Sequence, residues 1–218
     1  MYKIVNNNIH ITRGETATYN VSVIDKATGA PFILPKNVTV GNAETTATDK
    51  FLAVFSVRKS DYIKDGYALK KYIWFCGFNG VEDNTQYNCS DEIELLESTD
   101  ILDYPGEVWD DTTMSTNLPV SRVLYRRKTA TGGYDYRYWD ASKVSSDETP
   151  THWIPYSFTI RFPFLYNDTA TLSPKAYKYA MTIYGGNNLE IGPDGLVGID
   201  YKKPLVDAQF IVEADINE

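Results

Sequence analysis

The sequence has few of the residues that carry metal or redox chemistry. Its 218 residues include only two cysteines, Cys76 and Cys89, and two histidines, His10 and His152. Two cysteines cannot build a disulfide framework or a four-ligand metal site, and neither histidine has a cysteine or carboxylate at ligand spacing. We therefore expect reduced, buried cysteines and histidines with structural roles, and we predict no catalytic, cofactor-binding or metal site.

Long apolar runs and an excess of positive charge are also missing. No stretch reaches the roughly 18 apolar residues that a membrane-spanning helix needs, so we expect no membrane partner. The chain begins MYKIVNNN, without the charged start and apolar core of a secretory signal, and synthesis in a cytoplasm is the expectation. The net charge of −8 argues against nucleic-acid binding, because phosphate contacts need an excess of lysine and arginine.

Common enzyme motifs are absent as well. No Gly-x-Ser-x-Gly elbow, Walker-type loop or Rossmann glycine pattern occurs. The carboxylates Asp103, Glu107, Asp110 and Asp111 are close enough in sequence for a calcium site, but their spacing matches no EF-hand loop. We favour a solvated acidic loop here and leave calcium binding open. The sequence thus predicts a protein that is not an enzyme and has no cofactor.

Strand-forming residues, by contrast, are abundant. Aromatic residues make up 14% of the chain and include 17 tyrosines. From Ala17 to Val23 apolar and polar side chains alternate, as they do when successive side chains of a strand point to opposite faces. Gly14 precedes this segment and Gly29 follows it, each in a predicted turn. The pattern predicts a half-buried strand with a chain reversal behind it.

The same reasoning predicts further strands towards both ends of the chain. Residues 51–57 are apolar on both faces, which indicates a central strand covered on two sides. The last strand should direct Val206, Ala208, Phe210 and Val212 inward. The remaining candidates are strands at 71–75, 158–162 and 177–183 and a small hairpin around Gly192 to Gly195.

Residues from about 77 to 155 have a more polar composition. Residues 90–102 predict a short helix capped by Ser90 or Asp91, although part of this segment also alternates as a strand would. Further on, 122–127 and 134–139 flank a glycine turn and predict a β-hairpin whose basic strand faces Asp135.

Short turns and the absence of crossover helices predict an all-β, antiparallel β-sandwich. We interpret residues 1–218 as a single β-sandwich domain. Its core strands should lie within 1–76 and 156–218, and the region of about 77–155 is a long inserted excursion that contains the hairpin.

Five aromatic residues in and after this hairpin have two interpretations. Aromatic faces rimmed by polar groups stack sugars or anchor protein partners. Alternating tyrosines in a hairpin are more often its packed side, which is the interpretation we favour. As possible partner or glycan contacts, the set is Tyr134, Tyr136, Tyr138, Trp139 and Trp153.

Four short segments occur in a recognisable order. They are G-E-T at 14–16, F-S-V-R-K-S at 55–60, D-T at 168–169 followed by Leu172, Tyr177 and Tyr179, and F-I-V at 210–212. In this order they resemble the immunoglobulin-like module of tailed-phage virion proteins, found in the N-terminal domain of the baseplate upper protein and in head-fibre and tail-fibre attachment proteins. Glu15 stands where that pattern has Asp, Ala176 where Gly is common, and the plain module lacks the insertion.

The resemblance implies an immunoglobulin-like sandwich and a non-enzymatic structural or assembly role in a phage virion. We accordingly expect docking onto neighbouring capsid, tail, baseplate or fibre subunits, and a homo-oligomer. An alternative is a carbohydrate-binding module that recognises host-surface glycans through the aromatic hairpin. A third hypothesis is a glycoside hydrolase that uses two of the 29 acidic residues.

Overall fold

The computed structural model describes residues 3–5, 7–35, 38–40, 43–45, 50–60, 65–75, 89–90, 93, 96–111, 119–142 and 152–214. This part of the chain contains one short helix, α1 (Tyr166–Ala170), and is otherwise strand and loop. The strands are β1 (Lys3–Val5), β2 (Asn8–Thr12), β3 (Ala17–Ser22), β4 (Val38–Val40), β5 (Ala43–Thr45), β6 (Phe51–Arg58), β7 (Tyr67–Phe75), β8 (Cys89–Ser90), β9 (Ile101–Asp103), β10 (Leu124–Lys128), β11 (Tyr134–Trp139), β12 (Trp153–Pro155), β13 (Thr159–Phe164), β14 (Lys175–Gly185), β15 (Glu190–Gly192), β16 (Gly195–Val197) and β17 (Tyr201–Glu213).

Seven strands form the larger sheet. Their order across it is β1-β2-β17-β14-β6-β7-β8, so strands from both ends of the chain lie side by side. Most neighbours are antiparallel, but β17 runs parallel to β2 and β7 runs parallel to β8. Alternation along a single strand does not reveal the direction of a distant partner, so these two parallel pairs had no signal in the sequence.

A second layer completes an all-β sandwich, as the sequence predicted. It is a two-stranded sheet of β3 and β13, which packs its apolar side on one face of the larger sheet. Phe55 of β6 lies at the centre of this core, and no ring around it is more than 5% exposed. Ring centroids 5.0 to 6.3 Å from that of Phe55 belong to Tyr19, Phe162, Phe164, Tyr179 and Phe210.

The prediction of a central strand at 51–57 is confirmed. β6 lies between β14 and β7, and its side chains are buried on both sides of the sheet. Its inner face contributes Phe55 to the sandwich core. Its outer face contributes Leu52 and Val54 to a smaller cluster with Leu189, which lies next to the β15–β16 hairpin.

The alternation predicted for β3 is also confirmed. Tyr19 is buried, whereas Thr18 and Asn20 on either side of it are exposed. Its partner β13 continues through Pro163 to Phe164, beyond the predicted end. The extension is possible because Pro163 lies opposite Thr18, at a position where the pair exchanges no backbone hydrogen bond.

The helix predicted over residues 90–102 is wrong within the described residues. Ser90 ends β8, and Ile101 begins β9. Between them Leu96 is buried beside Leu124, and the Glu97 N–H donates to the Arg122 carbonyl. These tertiary contacts outweigh the local capping signal. As for the cysteines, Cys76 lies outside the described residues and only the backbone of Cys89 is described, so their burial stays a prediction.

Helix α1, which the sequence analysis did not anticipate, joins the two layers. The Thr169 side chain is completely buried, and its hydroxyl accepts a hydrogen bond from the Gly14 N–H at 3.0 Å. Gly14 has φ of +75°, and a β-carbon there would lie 2.8 Å from the Tyr166 ring. The backbone angle therefore favours glycine at this turn, and a larger residue would also displace the exposed Tyr166 ring.

Burial of Tyr201 leads to a testable pH dependence. Burial raises the pKa of its phenol to about 12, from an ordinary value of 10.0. Because the folded pKa is the higher one, the stabilisation is complete below pH 10 and is lost as the pH rises through 10 towards 12. We expect the free energy of unfolding of Tyr201→Phe to fall less than that of the wild type across this window. Urea titrations at pH 8 and 11, with the exposed Tyr134→Phe as control, measure the difference.

An equal drop in the free energy of unfolding for the wild type and Tyr201→Phe between these two pH values would contradict this assignment.

Candidate functional site

The predicted hairpin exists and is part of a larger unit. β10 and β11 pair antiparallel around the glycine turn, with Arg127 opposite Asp135 as expected. Two three-residue strands extend the hairpin, β9 parallel to β10 and β12 antiparallel to β11. Strands β9 to β12 therefore form a four-stranded sheet with two distinct faces.

One face of this sheet packs towards the sandwich. Leu124 and Tyr138 lie opposite each other on it and are buried with Leu96 and Tyr156. The Tyr156 hydroxyl donates a hydrogen bond of 3.1 Å to the Phe32 carbonyl, in the loop that follows β3. This face thus attaches the four-stranded sheet to the second layer.

Trp153 is the centre of the other face. Four aromatic rings lie with centroids 4.9 to 5.2 Å from it, and its indole N–H donates to the Asp110 carbonyl at 2.8 Å. A second indole, that of Trp109, donates to the Asp135 carboxylate at 2.6 Å. The rings around Trp153 are those of Tyr104, Trp109, Tyr125 and Trp139.

The five predicted contact residues do not form a single surface. Tyr134, Tyr136 and Tyr138 point to one face of β11, whereas Trp139 and Trp153 belong to the other face. Tyr138 is 2% exposed and Trp153 is 1% exposed, so neither ring is available to a ligand. Tyr134 is the most open of the set at 39%, with the Arg126 guanidinium 5.0 Å from its ring.

The acidic residues near Asp103 engage protein groups. The Arg126 guanidinium donates to Asp103 at 2.7 Å, and this hydrogen bond lowers the pKa of the Asp103 carboxyl. Asp111 accepts from the His152 backbone N–H at 3.0 Å. Within the described ranges, no three His, Cys, Asp or Glu side chains are grouped so as to hold a metal ion.

The outer edge of β3 is the side of the strand that faces away from its partner β13. The Val23 N–H donates to the Phe158 carbonyl at 2.9 Å, which fixes the alternation of the β3–β13 pair. Thr18, Asn20 and Ser22 therefore direct their N–H and C=O groups away from β13. No other strand of the described chain pairs with this edge. All three side chains are exposed and uncharged.

Comparisons with protein-family models, curated proteins and solved structures found no match for this chain.

The larger sheet also carries two clefts that the sequence analysis missed. The basic cleft, about 400 Å³ in volume, is lined by Arg58, Lys59, Lys175 and Lys178 together with neutral side chains. The tyrosine cleft, about 180 Å³, lies on the face turned away from β3 and β13. Its rings and polar groups are those of Tyr67, Tyr72, Tyr184, Lys70 and Ser56.

A local irregularity explains why sequence reasoning missed the tyrosine cleft. The β6–β7 register shifts between Val57 and Arg58, so that Tyr67 rather than Ala68 lies opposite Arg58. Strict alternation would place Tyr67 and Tyr72 on opposite faces of β7, because their positions differ by an odd number. The available signal was the alternation of Lys70, Tyr72 and Trp74, which marks a partly polar outer face.

Proposed function

We propose that this protein is a non-enzymatic structural or assembly protein of a tailed-phage virion, which docks onto neighbouring subunits. The observation that carries the proposal is the set of four ordered segments that resemble the virion module. Among the described residues, no helix is long and apolar enough to cross a membrane. The proposed place of action is the assembled particle, reached after synthesis in the host bacterium.

The positions of the four segments support this proposal. The 14–16 turn is hydrogen-bonded to Thr169 of the D-T segment, and the other segments lie in β6, β14 and β17. These three strands are direct neighbours in the larger sheet. Segments that are separated by the insertion in sequence therefore meet in one core, which is the pattern expected of a shared structural module.

The outer edge of β3 is the docking surface in this proposal. Open strand edges add strands from partners through backbone hydrogen bonds, and monomeric proteins commonly block such edges with charge or proline. The β3 edge has neither at Thr18, Asn20 and Ser22. Two antiparallel copies of this edge, related by a twofold axis at Asn20, would pair Thr18 with Ser22 without bringing like charges together.

Proline at position 20 tests this surface. The Asn20 N–H points outward, so Asn20→Pro removes a donor for an added strand and no hydrogen bond to β13. We expect the wild type to form an oligomer and Asn20→Pro to elute as a monomer of 24.7 kDa in size-exclusion chromatography with light scattering. The variant's own free energy of unfolding should fall by less than about 1 kcal/mol.

Asn20→Thr is the matched control, since it keeps the backbone donor and should keep the oligomer. A wild type that is monomeric at every concentration, and that mass spectrometry does not find in purified particles, would contradict the proposed function. An oligomer that persists in Asn20→Pro would show that another surface makes the contact.

A further inference from the structure

The basic cleft concentrates positive charge on a protein whose net charge is −8. Arg58 and Lys59 come from the end of β6 and the turn after it, and Lys175 and Lys178 come from β14. Among the described residues that line this cleft none is a carboxylate. Asp65 approaches it through a hydrogen bond from Ser60, so the described residues bring four cations and one carboxylate to this cleft. Such a cleft attracts ligands with more than one negative charge.

The tyrosine cleft supplies a different kind of contact. Tyr67 is 40% exposed, and the Lys70 ammonium lies 4.2 Å from its ring centroid and 6.0 Å from that of Tyr72. Tyr184 of β14 completes the set of rings, and the Ser56 hydroxyl lies in the same cleft. Partly exposed tyrosine rings bordered by polar groups offer apolar faces for C–H groups and hydroxyls for hydrogen bonds, which is the combination that sugar rings use.

The two clefts adjoin. Arg58 lines the basic cleft, and its partner in the β6–β7 ladder, Tyr67, lines the tyrosine cleft. A single elongated ligand can therefore contact both. We propose that this joint surface binds an anionic oligosaccharide, a glycan that carries phosphate, sulfate or carboxylate groups, with sugar rings on the tyrosines and acidic groups at the cations.

The proposal is independent of the β3 docking edge, because the two surfaces share no residue. Asn20→Pro should bind the oligosaccharide as the wild type does, so failure of one proposal leaves the other standing.

Isothermal titration of the full chain tests the joint surface with three probes. These are a heparin tetrasaccharide as the anionic sugar, maltotetraose as a neutral sugar and pyrophosphate as an anion without sugar. We expect the tetrasaccharide to bind most tightly and its affinity to fall with added salt. Lys59→Gln with Lys175→Gln should weaken its binding by about tenfold or more, because charge-assisted hydrogen bonds are lost.

Two matched controls separate this surface from others. Lys26→Gln with Lys128→Gln removes the same charge elsewhere and should leave the affinity unchanged. Tyr67→Ala should weaken tetrasaccharide binding, whereas Tyr134→Ala, which removes an equally exposed tyrosine from the hairpin, should not.

Thermal melting of each variant shows whether it is folded. The proposal would be overturned if 1 mM tetrasaccharide gave no heat of binding. It would also be overturned if both double lysine variants lost the same affinity for the tetrasaccharide, or if Tyr134→Ala lost affinity and Tyr67→Ala did not. Pyrophosphate binding as tight as that of the tetrasaccharide would refute the role of the tyrosines.

Discussion

Replacing Phe55 by alanine is expected to lower the free energy of unfolding by about 3–5 kcal/mol. Phe55 is completely buried on the central strand β6 and contacts rings from both layers. Its removal leaves a cavity lined by rigid aromatic groups, which cannot close without moving both sheets. Urea unfolding followed by tryptophan fluorescence measures the loss.

Phe32→Ala is the control for the Phe55 substitution. Phe32 packs at the margin of the same core, with its ring 5.2 Å from that of Phe158, and it is only partly buried. We expect it to lose clearly less stability than Phe55→Ala. Equal losses at the two positions would show that the sandwich core is not organised around Phe55.

The second large effect is expected at Asp168, where alanine should reduce the free energy of unfolding by about 2–3 kcal/mol. One carboxylate oxygen accepts from the Lys71 ammonium at 2.5 Å and from the Leu165 N–H at 2.7 Å. The side chains of Lys71 and Asp168 are only 10% and 19% exposed, so the substitution leaves a poorly hydrated cation without its partner. Urea unfolding again provides the measurement.

A double-mutant cycle with Lys71→Met and Asp168→Asn isolates the ion pair. Asp168→Asn keeps an acceptor for the Leu165 N–H and removes the charge, so it should cost less than Asp168→Ala. The coupling energy between Lys71 and Asp168 should exceed the value of about 1 kcal/mol that exposed pairs reach. A smaller coupling would mean that water screens this contact.

Much of the sandwich follows from side-chain alternation. The inward positions of β3 and β17 and the apolar pattern of β6 were predictable, because each of these strands is long enough to show its period. Helix α1 has five residues and β9 has three, which is too short for any period to be visible. These elements are specified by tertiary contacts instead, such as the bond between Thr169 and Gly14 and the pairing of Ile101 with Leu124.

The candidate sites were less predictable, because they too depend on contacts between residues that are distant in sequence. Tyrosines alternate along β11 whether they face solvent or a core, and only the packing of Tyr156 and Leu96 shows that Tyr138 is buried. Trp153 lies in sequence well beyond the hairpin, and its central place depends on the pairing of β12 with β11. The tyrosine cleft of the larger sheet depends on a register shift, which side-chain alternation does not encode.

Because β2 pairs in parallel with β17, the last strand, β2 can take its final place in the sheet only late in folding. In the described sheet β2 has only β1 and β17 as neighbours, so its place between them exists only after the last strand has been synthesised. During translation, Ile9 and Ile11, both completely buried in the final structure, cannot pair with β17 until nearly two hundred later residues have been synthesised. Assembly of the sandwich is thereby a late, long-range event, and such sheets form slowly and aggregate readily before they close.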